Sequence, residues 1–216
     1  MFRHYQASAA QTNTPAASPF TPCMITDEIA TLGWWGLLRT DLAAKATWMY
    51  NSSSTRSQIK VLLTDGTMAM IYYRLMQASH RAGLSPFAMV FNKLNTIFGN
   101  CIIGRGAEFG AGFVLVHSTG VVINGAVRGG RDIKIEHQVT IGAERGLSPV
   151  LGDDLFIGAG AKIIGAVRIG SHSRIGANAV VIKDVPEYVT AVGVPARYIP
   201  RAENDAVLPP SLNAAP

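Results

Sequence analysis

From Ile103 to Val181 the chain repeats itself with a period of six. Stepping six residues at a time through Phe109, Leu115 and onward meets an apolar residue at thirteen of fourteen positions, the exception being Arg145. Neither the 3.6-residue period of a helix nor the two-residue alternation of a strand produces that spacing. Glycine follows the periodic position at Gly104, Gly110, Gly146, Gly152, Gly158, Gly170 and Gly176, and small residues precede it by two at Ala107, Thr119, Ala161, Ser173 and Ala179. About half of the residues of an ordinary domain are apolar, so a run this regular arises by chance about once in a thousand. The pattern predicts a mainly β fold, a left-handed parallel β-helix in which each hexapeptide forms one short strand and a corner and the periodic side chains fill the interior. Arg145 falls in Ala143-Glu144-Arg145-Gly146-Leu147-Ser148-Pro149, a polar segment that reads as a loop leaving the coil, and loops on a solenoid build its sites.

Before the repeats, residues 26–99 carry a helical pattern. Thr26-Asp27-Glu28 can cap a run through Trp34, Trp35, Leu37 and Leu38, Thr64-Asp65 can cap a second that ends at Gly83, and a third runs from Pro86 to Phe98. Asn51-Ser52-Ser53-Ser54 forms the loop between the first two. Trp34 and Trp35 are adjacent and cannot share one helical stripe, which places them at a helix or subunit contact. The resulting organisation is a disordered tail over 1–25, a small α-helical region over 26–99, the β-helix over 100–199 and a second disordered tail over 200–216.

Charge narrows the function. The net charge of +5 is carried by single basic residues without runs, which speaks against nucleic acid and suits a phosphate-bearing ligand. Only Cys23 and Cys101 are present, far apart and outside any metal-ligand spacing, so neither a disulfide framework nor a bound metal is expected. The N-terminal stretch has no apolar signal core and no run approaches the length of a membrane span, which predicts a cytoplasmic protein.

Three histidines lie in the repeats. His117 and His137 are twenty residues apart, which puts them on successive coils as neighbours. Imidazole is the usual general base for a hydroxyl nucleophile, and His117, in Val116-His117-Ser118-Thr119-Gly120, is the candidate base. His137 stands two places before a core position, in a slot expected to hold small, inward-leaning side chains, and reads either as a partly buried structural ring or as a group that positions the acceptor. His172 reads as a surface turn residue.

Four stretches carry a resemblance: Val116-His117-Ser118-Thr119-Gly120-Val121-Val122-Ile123, His137-Gln138-Val139-Thr140-Ile141-Gly142, Ile157-Gly158-Ala159-Gly160-Ala161-Lys162-Ile163, and Ile175-Gly176-Ala177-Asn178-Ala179-Val180-Val181 through to Gly193-Val194-Pro195-Ala196-Arg197. Together they resemble the hexapeptide-repeat acyltransferases of the serine O-acetyltransferase group. That resemblance implies acetyl-coenzyme A as co-substrate, a homotrimer with sites between coils, and His117 as general base with His137 beside it. It also implies that the pantetheine arm passes Ala159, Gly160 and Ala177, while Lys162, Lys183 and Arg197, together with Arg174, are cations available to the cofactor's phosphates. Where serine acetyltransferases carry two aspartates and an Arg-His pair, this chain has Ile102, Val116, Leu147 and Ser148. None of these carries a charge to pair with an amino acid, which speaks against serine. The paired histidines His117 and His137, the Val122-Ile123-Asn124 stretch and the short helical region more closely resemble the exopolysaccharide acetyltransferases of the colanic acid type, and a sugar hydroxyl is the expected acceptor. Serine as a small-molecule acceptor, a catalytically silent coenzyme A-binding scaffold, pairing of trimers into a hexamer and peripheral contact with a membrane-bound glycan assembly stay open at this level. A zinc enzyme with a related trimeric coil would need three histidine ligands, and the required spacing is absent.

Overall fold

A computed structural model describes residues 22–201. Four helices come first: α1 (Pro22–Tyr50), α2 (Thr55–Val61), α3 (Thr67–Arg81) and α4 (Ser85–Phe98). The helix α1 already runs through Thr26-Asp27-Glu28, so those residues do not cap it, and it kinks at Gly33. Ser54 caps α2 by accepting from the Ser57 N–H, a helix that the loop reading of this region does not contain. Gly83 closes the α3 turn in the left-handed region that a residue with a side chain resists. Trp34 and Trp35 meet edge to face at 5.6 Å and are both exposed on this chain.

The predicted parallel β-helix follows. Its strands are β1 (Ile102–Ile103), β2 (Glu108–Phe109), β3 (Val114–Leu115), β4 (Val122–Ile123), β5 (Arg128–Gly129), β6 (Lys134–Ile135), β7 (Thr140–Gly142), β8 (Val150–Leu151), β9 (Phe156–Ile157), β10 (Lys162–Ile164), β11 (Arg168–Ile169), β12 (Arg174–Ile175), β13 (Val180–Val181), β14 (Val189–Val192) and β15 (Arg197–Pro200). Each strand pairs in parallel with the third one on, except that β12 pairs with β14, giving three sheets: β1-β4-β7-β10-β13, β2-β5-β8-β11, and β3-β6-β9-β12-β14, with β15 closing the last by antiparallel pairing. Ile103, Leu115, Ile123, Ile135, Ile141, Ile157, Ile163, Ile175 and Val181 stack in the interior with no exposed surface or almost none.

The register departs from a uniform step of six. Ile103 pairs with Ile123, twenty residues on, Ile123 with Ile141, eighteen on, and Ile141 with Ile163, twenty-two on. Two extra residues thus enter at the corner between Leu115 and Ile123, and four more enter in the loop after Gly142; the two offsets together make one hexapeptide and restore the phase. Between them the true inward strand positions are Ile123, Gly129, Ile135 and Ile141, while the positions that the six-step reaches, Val121, Val127, Ile133 and Val139, fill the corners. Both sets are buried except that glycine replaces a side chain at 129, which is why the slip is silent in a hydrophobic pattern. At Gly129 a side chain would run into the Phe109 ring, so the bulk of Phe109 takes the space of two stacked residues.

A buried arginine is central among the contacts that tie the helices to the first coil. Arg74 of α3 and Asp41 of α1 are both wholly inaccessible. Arg74 Nε donates to Asp41 Oδ2 at 2.6 Å and Nη2 to Asp41 Oδ1 at 2.9 Å; Nη2 also reaches the Gly110 carbonyl, and Nη1 the Phe109 carbonyl and Gln77 Oε1. All five guanidinium N–H groups are therefore matched. Burial raises the Asp41 carboxyl above its usual range, and Arg74 with the Phe113 and Gly112 N–H groups pulls against that rise. Asp41→Ala leaves an unpaired cation in the core and is expected to destabilise the fold by about 3–5 kcal/mol in denaturant unfolding. The double variant Asp41→Leu/Arg74→Met is expected to recover most of that loss.

Candidate active site

The two-residue insertion at the third corner builds the site. On the next coil, six residues carry the chain from Ile135 to Ile141; here eight carry it from Leu115 to Ile123, and His117-Ser118 is the excess. Thr119-Gly120 then resumes the ordinary corner, with the Gln138 N–H donating to the Thr119 carbonyl at 2.9 Å and the Gly120 N–H to the Asn100 carbonyl at 2.8 Å. His117 is consequently held out from the coil, with about half of its side chain (51%) exposed.

The structure brings His117 and His137 together as the spacing predicts: their rings meet edge to face with centroids 5.9 Å apart. His137 does not lean into the core. Its corner turns outward, leaving 46% of the side chain exposed, and Nδ1 lies 3.6 Å from Glu136 Oε2, so the ring does not occupy the inward-leaning slot expected of it. The reason is geometric: Val139, two places on, already fills the corner.

Asp65 is the site residue that sequence reasoning missed. It reads there as a helix cap, yet the N-cap of α3 is Gly66 and no side chain caps that helix. Instead Asp65 Oδ2 lies 3.1 Å from His117 Nδ1, while Oδ1 accepts from the Gly66 N–H at 2.8 Å and lies 3.5 Å from Ser118 Oγ. An imidazole that donates Nδ1–H to this carboxylate presents Nε2 as an acceptor, which is the tautomer a general base requires. Nothing local in the sequence marks the pair, because the two residues are fifty-two positions apart.

The four departures now have places. Val116 is only 8% exposed and packs with Val114 beneath Trp48 of α1, whose ring stacks on Phe156 at 5.4 Å, so its side chain belongs to a packing contact and not to the site. Ile102 and Leu147 are exposed, and Ser148 Oγ is engaged with Asn124 Oδ1 at 3.0 Å. Ala159-Gly160 and Ala177-Asn178 stack on the same corner as His137, through the Gly160 N–H to the His137 carbonyl at 2.9 Å and the Asn178 N–H to the Ala159 carbonyl at 2.8 Å. They form a column that leads away from the histidines along this corner. Lys162 is turned elsewhere, its Nζ bound to the Gln138 carbonyl at 2.6 Å and to Thr140 Oγ1 at 3.1 Å. Lys183 and Arg197 are exposed farther along the coil. His172 stands apart, facing Asp154 at 3.2 Å and stacked on Tyr188. Cys101 is buried against Asn95 and burial pushes its thiol up to about 12, which removes it as a nucleophile. Among the described residues no group of three or more His, Cys, Asp or Glu is arranged to hold a metal ion, and no helix is long and apolar enough to cross a membrane.

Comparison with known proteins gives the same picture. Residues 148–183 match the family model described as bacterial transferase hexapeptide (six repeats). Serine acetyltransferase of Helicobacter pylori strain J99 is 36% identical over 167 residues, which span 76% of this chain and 92% of that protein. Serine acetyltransferase of Mycobacterium tuberculosis is 38% identical over 142 residues, 64% of this chain and 62% of its own length. Among solved structures, serine acetyltransferase from Vibrio cholerae superposes with a TM-score of 0.73 at 29% identity over 83% of this chain and 71% of that one. The Neisseria gonorrhoeae serine acetyltransferase does so with 0.70 at 31% identity over 78% and 66%. The resemblance to the broader group therefore holds, whereas its narrowing to exopolysaccharide acetyltransferases has no counterpart in these relatives.

Gly66 supplies a test of the His117 geometry. It has φ +77°, and a side chain there would collide with the Leu115 carbonyl, so Gly66→Ala must lift the Asp65 turn off the coil. The expected outcome is a loss of about 1–3 kcal/mol in denaturant unfolding, with the Asp65–His117 contact opened in a crystal structure of the variant.

Proposed function

Because this chain belongs to the hexapeptide-repeat acyltransferase family and is serine acetyltransferase-like, we propose that it transfers the acetyl group of acetyl-coenzyme A directly to the hydroxyl of serine or a closely similar amino acid, with His117 as general base. The observation that carries this reading is the Asp65–His117 pair on an inserted corner, in a chain whose relatives are serine acetyltransferases. The sugar expectation rests on all four departures, Ile102, Val116, Leu147 and Ser148, but for the amino group it assumes that no carboxylate remains near the histidines. Asp65 and Glu136 both lie there, at 3.1 Å from His117 and 3.6 Å from His137. An amino group therefore still has anionic partners at this site.

His117 Nε2 takes the acceptor's hydroxyl proton as its oxygen attacks the thioester carbonyl, and Asp65 stabilises the imidazolium that forms. The tetrahedral intermediate expels the coenzyme A thiolate, which recovers the proton from His117. No covalent acyl-enzyme is needed, consistent with the buried, unreactive Cys101. His137 positions the acceptor beside the base, and Ala159, Gly160 and Ala177 border the pantetheine arm. A trimer, in which neighbouring coils complete the site, is part of the same reading, and Lys183 and Arg197 are its proposed phosphate contacts.

His117→Ala is expected to lower kcat about 10²–10⁴-fold while acetyl-coenzyme A binding, followed by calorimetry, stays near wild type. A thiol-release assay over serine, homoserine and sugars decides the acceptor: turnover with sugars and none with either amino acid would reject the amino-acid reading while leaving the base assignment intact.

A further inference from the structure

We propose that Lys45 is a positioning residue for the His117 base, acting through Asp65. Lys45 lies on α1, one helical turn after Asp41 and on the same face, and is wholly buried. Its Nζ donates to the main-chain carbonyl of Asp65 and, at 2.8 Å, to that of Leu115. These two carbonyls belong to the two segments that bear the pair: Asp65 itself carries the carboxylate, and Leu115 stands two residues before His117. One ammonium group thus clamps the turn ahead of α3 onto the end of β3, at the place where a side chain on Gly66 would meet the Leu115 carbonyl and approach Lys45 Nζ to 3.1 Å.

The same lysine explains how the site works without the aspartates of serine acetyltransferases at positions 102 and 116. The carboxylate that faces His117 comes from outside the coil, from a turn that the β-helix hydrogen bonds do not hold. Something must fix it there, and Lys45 is the group whose bonds span both sides. Its burial is unfavourable in itself: desolvation lowers the ammonium to about 8, with the Asp65 charge opposing the shift. An apolar side chain would fill the space at lower cost, but it cannot hold two carbonyls at a fixed separation.

The inference rests on His117 being the base, so its test uses a readout that needs no acceptor. Diethyl pyrocarbonate acylates the unprotonated histidine ring, and its rate at His117, followed by peptide mass spectrometry on the full chain, reports how well the carboxylate is held against Nδ1. Lys45→Met is expected to slow that reaction about tenfold, as is Asp65→Asn, and to add less than about twofold in the Asp65→Asn background. In turnover it is expected to lower kcat by about 10–100-fold with the KM for acetyl-coenzyme A changed less than about twofold. Lys45→Gln, which keeps an N–H donor, should restore part of both losses. Wild-type reactivity of His117 in folded Lys45→Met, or effects of the two substitutions that simply multiply, overturns the proposal. So does failure of both Lys45 variants to fold, which makes the lysine a stability element alone. Failure of the base assignment looks different: His117→Ala would keep its turnover while the coupling between Lys45 and Asp65 persisted.

Discussion

Burying the Arg74 guanidinium is tolerable only because all five of its N–H groups meet oxygens from α1, α3 and the first coil, and that requirement fixes where the two helices stand. A hydrophobic contact tolerates sliding; a bidentate ion pair with three further hydrogen bonds does not. Asp41 then sets Lys45, one turn along the same helix, over the end of β3, and Arg74 sets the start of α3, with Asp65 just before it, beside the inserted corner. The helical region is in this sense part of the candidate site, although the coil carries both histidines.

The coil contributes by an irregularity. A uniform hexapeptide ladder would leave every corner alike, with short side chains packed over the next coil. Two extra residues at His117-Ser118 break that sameness and push one imidazole outward, where it meets His137 from the coil above. Four further residues after Gly142 return the ladder to register and place a loop on the surface. Because strands pair only in whole register, an insertion must either be absorbed at a corner or be compensated, and this chain does both.

If His117 is the base, as proposed, its anionic partner comes from a different part of the fold. Position 116, where the resemblance implies an aspartate, is here a valine sealed under Trp48, and the stacked Trp48 and Phe156 use that space to dock α1. An unpaired carboxylate at that place would be costly. The carboxylate that faces His117 comes instead from the turn before α3. Substitutions that look like loss of function when read one position at a time are accompanied by a rearranged source of the same charge.

The β-helix, its three sheets and its interior residues were legible in the sequence because burial on a solenoid repeats with the backbone, so the apolar period maps directly onto geometry. The neighbouring histidines were legible for the same reason, since the coil length converts a spacing of twenty residues into adjacency. The exact register was not, because Val121, Val127, Ile133 and Val139 are as apolar as the strand residues they imitate. The outward turn of His137, the role of Asp65, the burial of Val116 and the clamp by Lys45 were decided by tertiary structure alone. Each depends on helices docking against the coil through contacts between residues far apart in the chain, seventy positions in the case of Lys45 and Leu115, and a local pattern holds no trace of which distant carbonyl an ammonium will meet.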